Sequence, residues 1–171
     1  VEVQDKKSVR SAQQIRVQWT DKEANLYQAI EKWQTARARS LNIPSGFATQ
    51  MTMRLASSCL PAARDRISKT KDGMSFIEAN LVGEDGTVSE HTLENHDGPT
   101  AEVFKAAEEL GDIDTKFDAF VKALMPIIHE NKRVLVFTFS RYTLRYLEQR
   151  LSGRLSYAVM HGDVPKDERH E

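Results

Sequence analysis

The sequence has few of the features that mark secreted and membrane proteins. Cys59 is the one cysteine in 171 residues, so no disulfide can form within the chain. The longest apolar run, residues 134–139, has six residues and includes a threonine, whereas ~18 are needed to span a bilayer. The N-terminus shows no signal peptide, and no Asn-x-Ser/Thr glycosylation acceptor occurs. We therefore expect a protein of the bacterial cytoplasm or the nucleus, neither secreted nor embedded in a membrane.

Motifs of phosphoryl transfer and covalent catalysis are also missing. No Gly-Lys dipeptide occurs, which excludes a P-loop, and Gly-x-Ser-x-Gly is absent. Residues 167–170 spell Asp-Glu-Arg-His, the letters of a helicase metal-binding box. Polar residues precede them, however, where such a box requires a buried apolar strand. The Cys/His pairs of a structural zinc site are absent as well. We predict no catalytic residue and no metal ligand in this chain.

The charge is balanced overall but is divided along the chain. A net charge of −1 results from 24 basic and 25 acidic residues. Residues 1–70 carry a net charge of +6, residues 71–118 carry −10 and residues 119–171 carry +3. Basic ends suit a polyanion such as nucleic acid, although solvated helix faces produce the same pattern. Charge alone therefore leaves both interpretations open.

The first 70 residues predict a strand followed by helices. Residues 13–19 alternate polar and apolar side chains, which is typical of a strand. Thr20 and Glu23 have the spacing of a capping box and predict the start of a long helix. Shorter helices are predicted over residues 47–57 and 61–67. The buried stripe of the long helix is expected to consist of Leu26, Ile30 and Trp33.

Residues 71–112 form a second predicted region, an acidic insertion. Its segments 76–82 and 87–93 have strand composition and are joined by Gly-Glu-Asp-Gly, which favours a small β-hairpin. A mobile insertion without strands is the alternative interpretation.

Residues 113–171 predict an α/β arrangement. Apolar residues at a helical period follow Asp114 and predict a helix. Residues 134–139 are continuously apolar, as in a strand buried on both faces of a parallel sheet. A helix capped by Ser140 and a second strand over residues 155–159 follow. The expected fold is therefore strand, helix and strand within an incomplete parallel sheet.

Polar residues after these two predicted strands define a candidate site. Ser140 and Arg141 follow the first strand and open a helix, whose free N–H groups attract anions. His161, Gly162 and Asp163 follow the second strand, at the same edge of a parallel sheet. Together these residues are predicted to hold a phosphate backbone. The alternative is that Ser140 only caps its helix and that Arg141 is solvated.

Several blocks of the sequence resemble Swi/Snf-type ATPases of helicase superfamily 2. Residues 132–140, Lys-Arg-Val-Leu-Val-Phe-Thr-Phe-Ser, resemble motif IV at the start of the second RecA-like lobe. Residues 157–169 resemble the segment that follows, and residues 19–27, 53–63 and 114–120 resemble the approach to this lobe. The resemblance implies an incomplete RecA-like lobe in which residues 1–70 form the helical approach and residues 71–112 are an insertion. Residues 113–171 would then be the N-terminal part of the lobe proper.

This resemblance also implies a function. The chain would be a fragment of an ATP-dependent, DNA-translocating helicase, in which Thr138, Ser140 and Arg141 contact the backbone of duplex DNA, with residues 161–163 nearby. Its partners would be DNA and the first RecA-like lobe of the same protein. ATP and Mg²⁺ would bind to that parent protein, and this chain alone is expected to bind neither and to hydrolyse no ATP. The alternatives are a restriction or defence helicase subunit and a non-catalytic α/β protein-interaction domain.

Overall fold

The structure, a computed structural model, describes residues 11–40, 42, 44–71 and 98–162. These residues contain six α-helices, which are connected by turns and by segments without regular secondary structure. In chain order the helices are α1 (Asp21–Ser40), α2 (Ser45–Ser58), α3 (Leu60–Lys71), α4 (Pro99–Leu110), α5 (Thr115–His129) and α6 (Arg141–Leu151).

The long helix α1 begins at the capping box that the sequence predicts. The backbone N–H of Thr20 donates to Glu23 Oε2 at 2.8 Å, and the N–H of Glu23 donates to Thr20 Oγ1 at 3.3 Å. These reciprocal bonds satisfy donors that have no partner within the helix. The predicted buried stripe is confirmed, since Leu26 and Ile30 are fully buried and Trp33 is 2% exposed.

The core lies where α1 packs against α2 and α4, and α3 packs against α2, α4 and α6. Helix α4 is absent from the sequence predictions and falls in the region assigned to the acidic insertion. The sequence does carry a signal for this helix. Pro99 occupies the first helical position, where proline is favoured, and an apolar stripe at helical spacing follows it. The stripe packs into the core and consists of Val103, Ala106, Ala107 and Leu110.

Two buried carboxylates tie the helices together at their ends. Glu23, on α1, accepts hydrogen bonds from the backbone N–H and the hydroxyl of Thr115, both at 2.9 Å. Asp114 caps α5 by accepting from the N–H of Phe117 at 2.9 Å, and it accepts from the hydroxyl of Tyr146 on α6 at 2.7 Å. The first turn of α5 is therefore anchored to both α1 and α6.

The predicted parallel sheet is wrong for the described residues, which contain helices and no strand. Residues 133–139 and 156–160, the two flanking segments, have no regular secondary structure and lie on either side of α6 in sequence; no backbone hydrogen bond between described residues joins them. A segment becomes a strand only when a neighbour pairs with its backbone, and a two-stranded sheet is marginal in water. The incomplete RecA-like α/β lobe is therefore not what the chain forms here.

The remaining sequence predictions divide into three groups. The helices predicted over 47–57 and 61–67 are confirmed by α2 and α3, and the helix after Ser140 is confirmed by α6. Residues 13–19 are not a strand, because nothing described pairs with them. The predicted hairpin, residues 76–82 and 87–93, lies outside the described residues. None of the described helices combines the length and apolarity needed to cross a bilayer.

Candidate nucleic-acid interface

Hydroxyl groups of the predicted site shape the start of α6. Ser140 is the N-cap, and its Oγ accepts a hydrogen bond from the N–H of Tyr142 at 3.2 Å. Thr138 Oγ1 accepts from the N–H of Ser140 at 3.4 Å. Both oxygens therefore satisfy backbone donors of the helix N-terminus, which is the capping role that the sequence left open for Ser140. Each hydroxyl hydrogen stays available to donate.

The structure brings the two halves of the predicted site together. A Cβ placed on Gly162 would lie 3.9 Å from Nη2 of Arg141, so the residues after the second flanking segment reach the start of α6. Arg141 and Gly162 are exposed, and His161 is half-buried. No sheet is needed for this proximity. The chain reverses direction in the turn after α6 and runs back to the N-terminal end of that helix. Asp163 lies outside the described residues.

Two arginines that the sequence analysis did not single out flank the same helix start. The guanidinium carbon of Arg54, on α2, lies 4.4 Å from the centroid of the Phe139 ring. That of Arg66, on α3, lies 4.4 Å from the centroid of Tyr142. Such stacking on an aromatic ring holds a cation in place. Both arginines contribute to the net positive charge of residues 1–70, and that charge is the feature of the sequence that could have indicated them.

Burial distinguishes these two cations. Arg54 is exposed, and no carboxylate among the described residues pairs with it. Arg66 is 3% exposed, and burial lowers the pKa of its guanidinium to about 10. It therefore remains charged at neutral pH. Arg54 is placed to contact an external anion directly, whereas Arg66 contributes positive potential from beneath the surface.

A small cavity lies beside this surface, and its thiol is a poor nucleophile. It has a volume of about 180 Å³, and Cys59, Asp114 and Thr143 are among its polar linings. Burial raises the pKa of the Cys59 thiol to about 12, so the thiolate needed for nucleophilic attack is scarce at neutral pH. Burial, and then the hydrogen bond to Asp114, raise the pKa of Tyr146. Within the described ranges no three His, Cys, Asp or Glu side chains are grouped as metal ligands.

The chemistry of this surface is that of an anion-binding site. The N-terminus of α6 carries the positive end of the helix dipole, and Arg54 and Arg141 add full charges beside it. Helix N-termini and arginine forks are groups that proteins use to hold phosphate. No protein-family model matches this chain, and no match is found among curated proteins or solved structures.

Proposed function

We propose that this chain contributes phosphate-backbone contacts to duplex DNA as part of a Swi/Snf-type, ATP-dependent DNA translocase. The observation that carries the proposal is the approach of Arg141 to Gly162, which places the two predicted contact segments at one end of α6. The resemblance of residues 132–140 to motif IV supplies the family.

The binding is electrostatic and independent of base sequence. Phosphate oxygens would accept from the guanidinium groups of Arg54 and Arg141 and from the hydroxyls of Thr138 and Ser140, with His161 and Gly162 alongside. Each phosphate that an arginine neutralises releases condensed counterions, so affinity falls as salt rises. A translocase needs contacts of this kind, because it must hold every sequence that it passes.

ATP and Mg²⁺ belong to the parent protein in this proposal. The chain has no P-loop, so the nucleotide would be held by the first RecA-like lobe, which is the second partner besides DNA. The pure chain is expected to show no ATP turnover, with or without duplex DNA, in a phosphate-release assay. DNA-stimulated hydrolysis by the chain alone would contradict this division of labour. A restriction or defence helicase subunit would use the same contacts.

Fluorescence anisotropy with a labelled random-sequence duplex tests the DNA contacts. We expect log affinity to fall linearly with log salt between about 20 and 200 mM. Arg54→Ala and Arg141→Ala should each weaken binding uniformly across sequences and reduce the salt slope by about one. Arg154→Ala is the matched control, because Arg154 is exposed just beyond the opposite end of α6.

The control defines the result that overturns the proposal. If Arg154→Ala weakens binding as much as Arg141→Ala does, the affinity reflects general positive charge and not this surface. If the unaltered chain does not bind duplex DNA even at about 20 mM salt, the proposed contacts are absent.

A further inference from the structure

The most exposed apolar side chains of the described residues lie around one groove. Leu135 is 84% exposed, Phe137 is 89% exposed and Met160 is 70% exposed. They line a groove of about 480 Å³ between the two flanking segments and α6, and Leu144 and Leu147 of α6 line it as well. We call this surface, residues 134–138 and 157–160 with the adjoining side of α6, the open apolar face.

Its area is that of a protein interface and not of an ordinary monomer surface. Six large side chains on the open apolar face are between 38% and 89% exposed. Since large apolar side chains present about 150–250 Å² each, their exposed parts amount to roughly 700 Å². The largest apolar patch of a typical monomer is about 300–600 Å², and a standard interface buries about 800 Å² per partner. The six are Val134, Leu135, Val136, Phe137, Tyr157 and Met160.

The open apolar face carries both projections and a recess. Leu135 and Phe137 protrude, and the groove beside them is about three times the volume of a cavity of about 150 Å³ that accommodates benzene. A two-fold axis through the face would place the protruding side chains of each copy over the groove of the other. Among the residues that the structure describes, Glu148 is the one charged residue that lines the groove, so there is little like-charge repulsion to oppose the contact.

From these observations we infer that the open apolar face is the interface between two copies of this chain, packed face against face. The occupant is a second copy because one surface supplies both the projections and the recess, and its area matches one side of a standard interface. The open apolar face and the proposed DNA contacts share Thr138, which lines the groove, but neither Leu135 nor Phe137 is among those contacts.

Light scattering coupled to size-exclusion chromatography tests the inference with the full chain. At about 100 µM we expect a mass of twice the 19.4 kDa of one chain. Leu135→Glu and Phe137→Glu should each raise the dissociation constant about thirtyfold, the size of a hot-spot effect. Ile15→Glu is the control, because Ile15 is 57% exposed but does not line the groove.

Each result decides the question. A dimer that both groove variants weaken and the control retains supports the inference. A monomer at about 100 µM, a dimer whose dissociation constant Leu135→Glu and Phe137→Glu leave unchanged in a dilution series, or an open series of larger assemblies overturns it. Far-UV circular dichroism of the variants checks that the helices persist, which we expect because both side chains are exposed in the single chain. Unchanged DNA affinity of Leu135→Asn, which adds no charge beside the phosphate contacts, separates this interface from the DNA-binding surface.

Discussion

Replacing Glu23 by alanine removes the acceptor that joins the start of α1 to the start of α5. Its carboxylate accepts from the backbone N–H of Thr20 at 2.8 Å and from that of Thr115 at 2.9 Å. It also accepts from both threonine hydroxyls. Glu23 is 1% exposed, so water has little access to replace it.

The magnitude follows from the two backbone donors that would lose their acceptor. A buried N–H left without a partner costs about 1–3 kcal/mol, and this cost applies at Thr115. Thr20 is exposed, so water can replace the acceptor of its N–H, and both hydroxyls can rotate toward other acceptors. We therefore expect Glu23→Ala to lower the free energy of unfolding by about 1–3 kcal/mol. For a chain of this length the melting temperature should fall by about 2–4 °C per kcal/mol.

Because of the same hydrogen bonds, the free energy of unfolding depends on pH in the acid range. Burial opposes ionisation of Glu23, but the hydrogen bonds from Thr20 and Thr115 outweigh it and hold the pKa below the ordinary value of 4.5. The carboxylate is thus more stable in the folded state than in the unfolded one. Its contribution is complete above the unfolded pKa and is lost as pH falls through the lower, folded pKa. Glu23→Gln should lose this part of the acid dependence.

Urea unfolding followed by far-UV circular dichroism measures both effects, at pH 7 and through the acid range. Glu31→Ala is the matched control, since Glu31 is exposed on the same helix. We expect the control to stay within about 0.5 kcal/mol of the unaltered chain. A Glu23→Ala variant as stable as this control would refute the assignment of Glu23 as the link between the two helices.

Three further predictions concern the core. Leu110→Ala removes a fully buried side chain of α4 and should cost about 2–5 kcal/mol in urea unfolding; an effect below about 1 kcal/mol would mean that α4 is not packed as described. Tyr146→Phe removes the donor to Asp114 and should cost about 1.5–3 kcal/mol at pH 7 in the same assay, and a neutral result would show that this bond does not stabilise α6. Burial raises the pKa of Cys59 to about 12, so a disulfide reagent at about pH 8 should modify the folded chain ~1000-fold more slowly than the urea-unfolded chain. Equal rates would show that the thiol is not buried.

Short patterns in the sequence were enough to determine where several of the helices form. The Thr20–Glu23 capping box and the stripe of Leu26, Ile30 and Trp33 lie within one helix, and Ser140 lies directly before another. Each of these patterns spans a few residues, so propensity and capping are enough to predict the helix. Helix α4, which the sequence predictions lack, has a comparable stripe from Val103 to Leu110.

Tertiary structure alone decided the contacts that join distant parts of the chain. Glu23 binds Thr115 across 92 positions, and Arg54 on α2 stacks on Phe139, which precedes α6; no periodicity in the sequence encodes either pairing. The apolar run 134–139 predicted a buried strand because its composition is that of one. Such a run becomes a strand only where another segment pairs with its backbone and where other parts of the protein bury its side chains. The described residues supply no partner, so these side chains form an open surface.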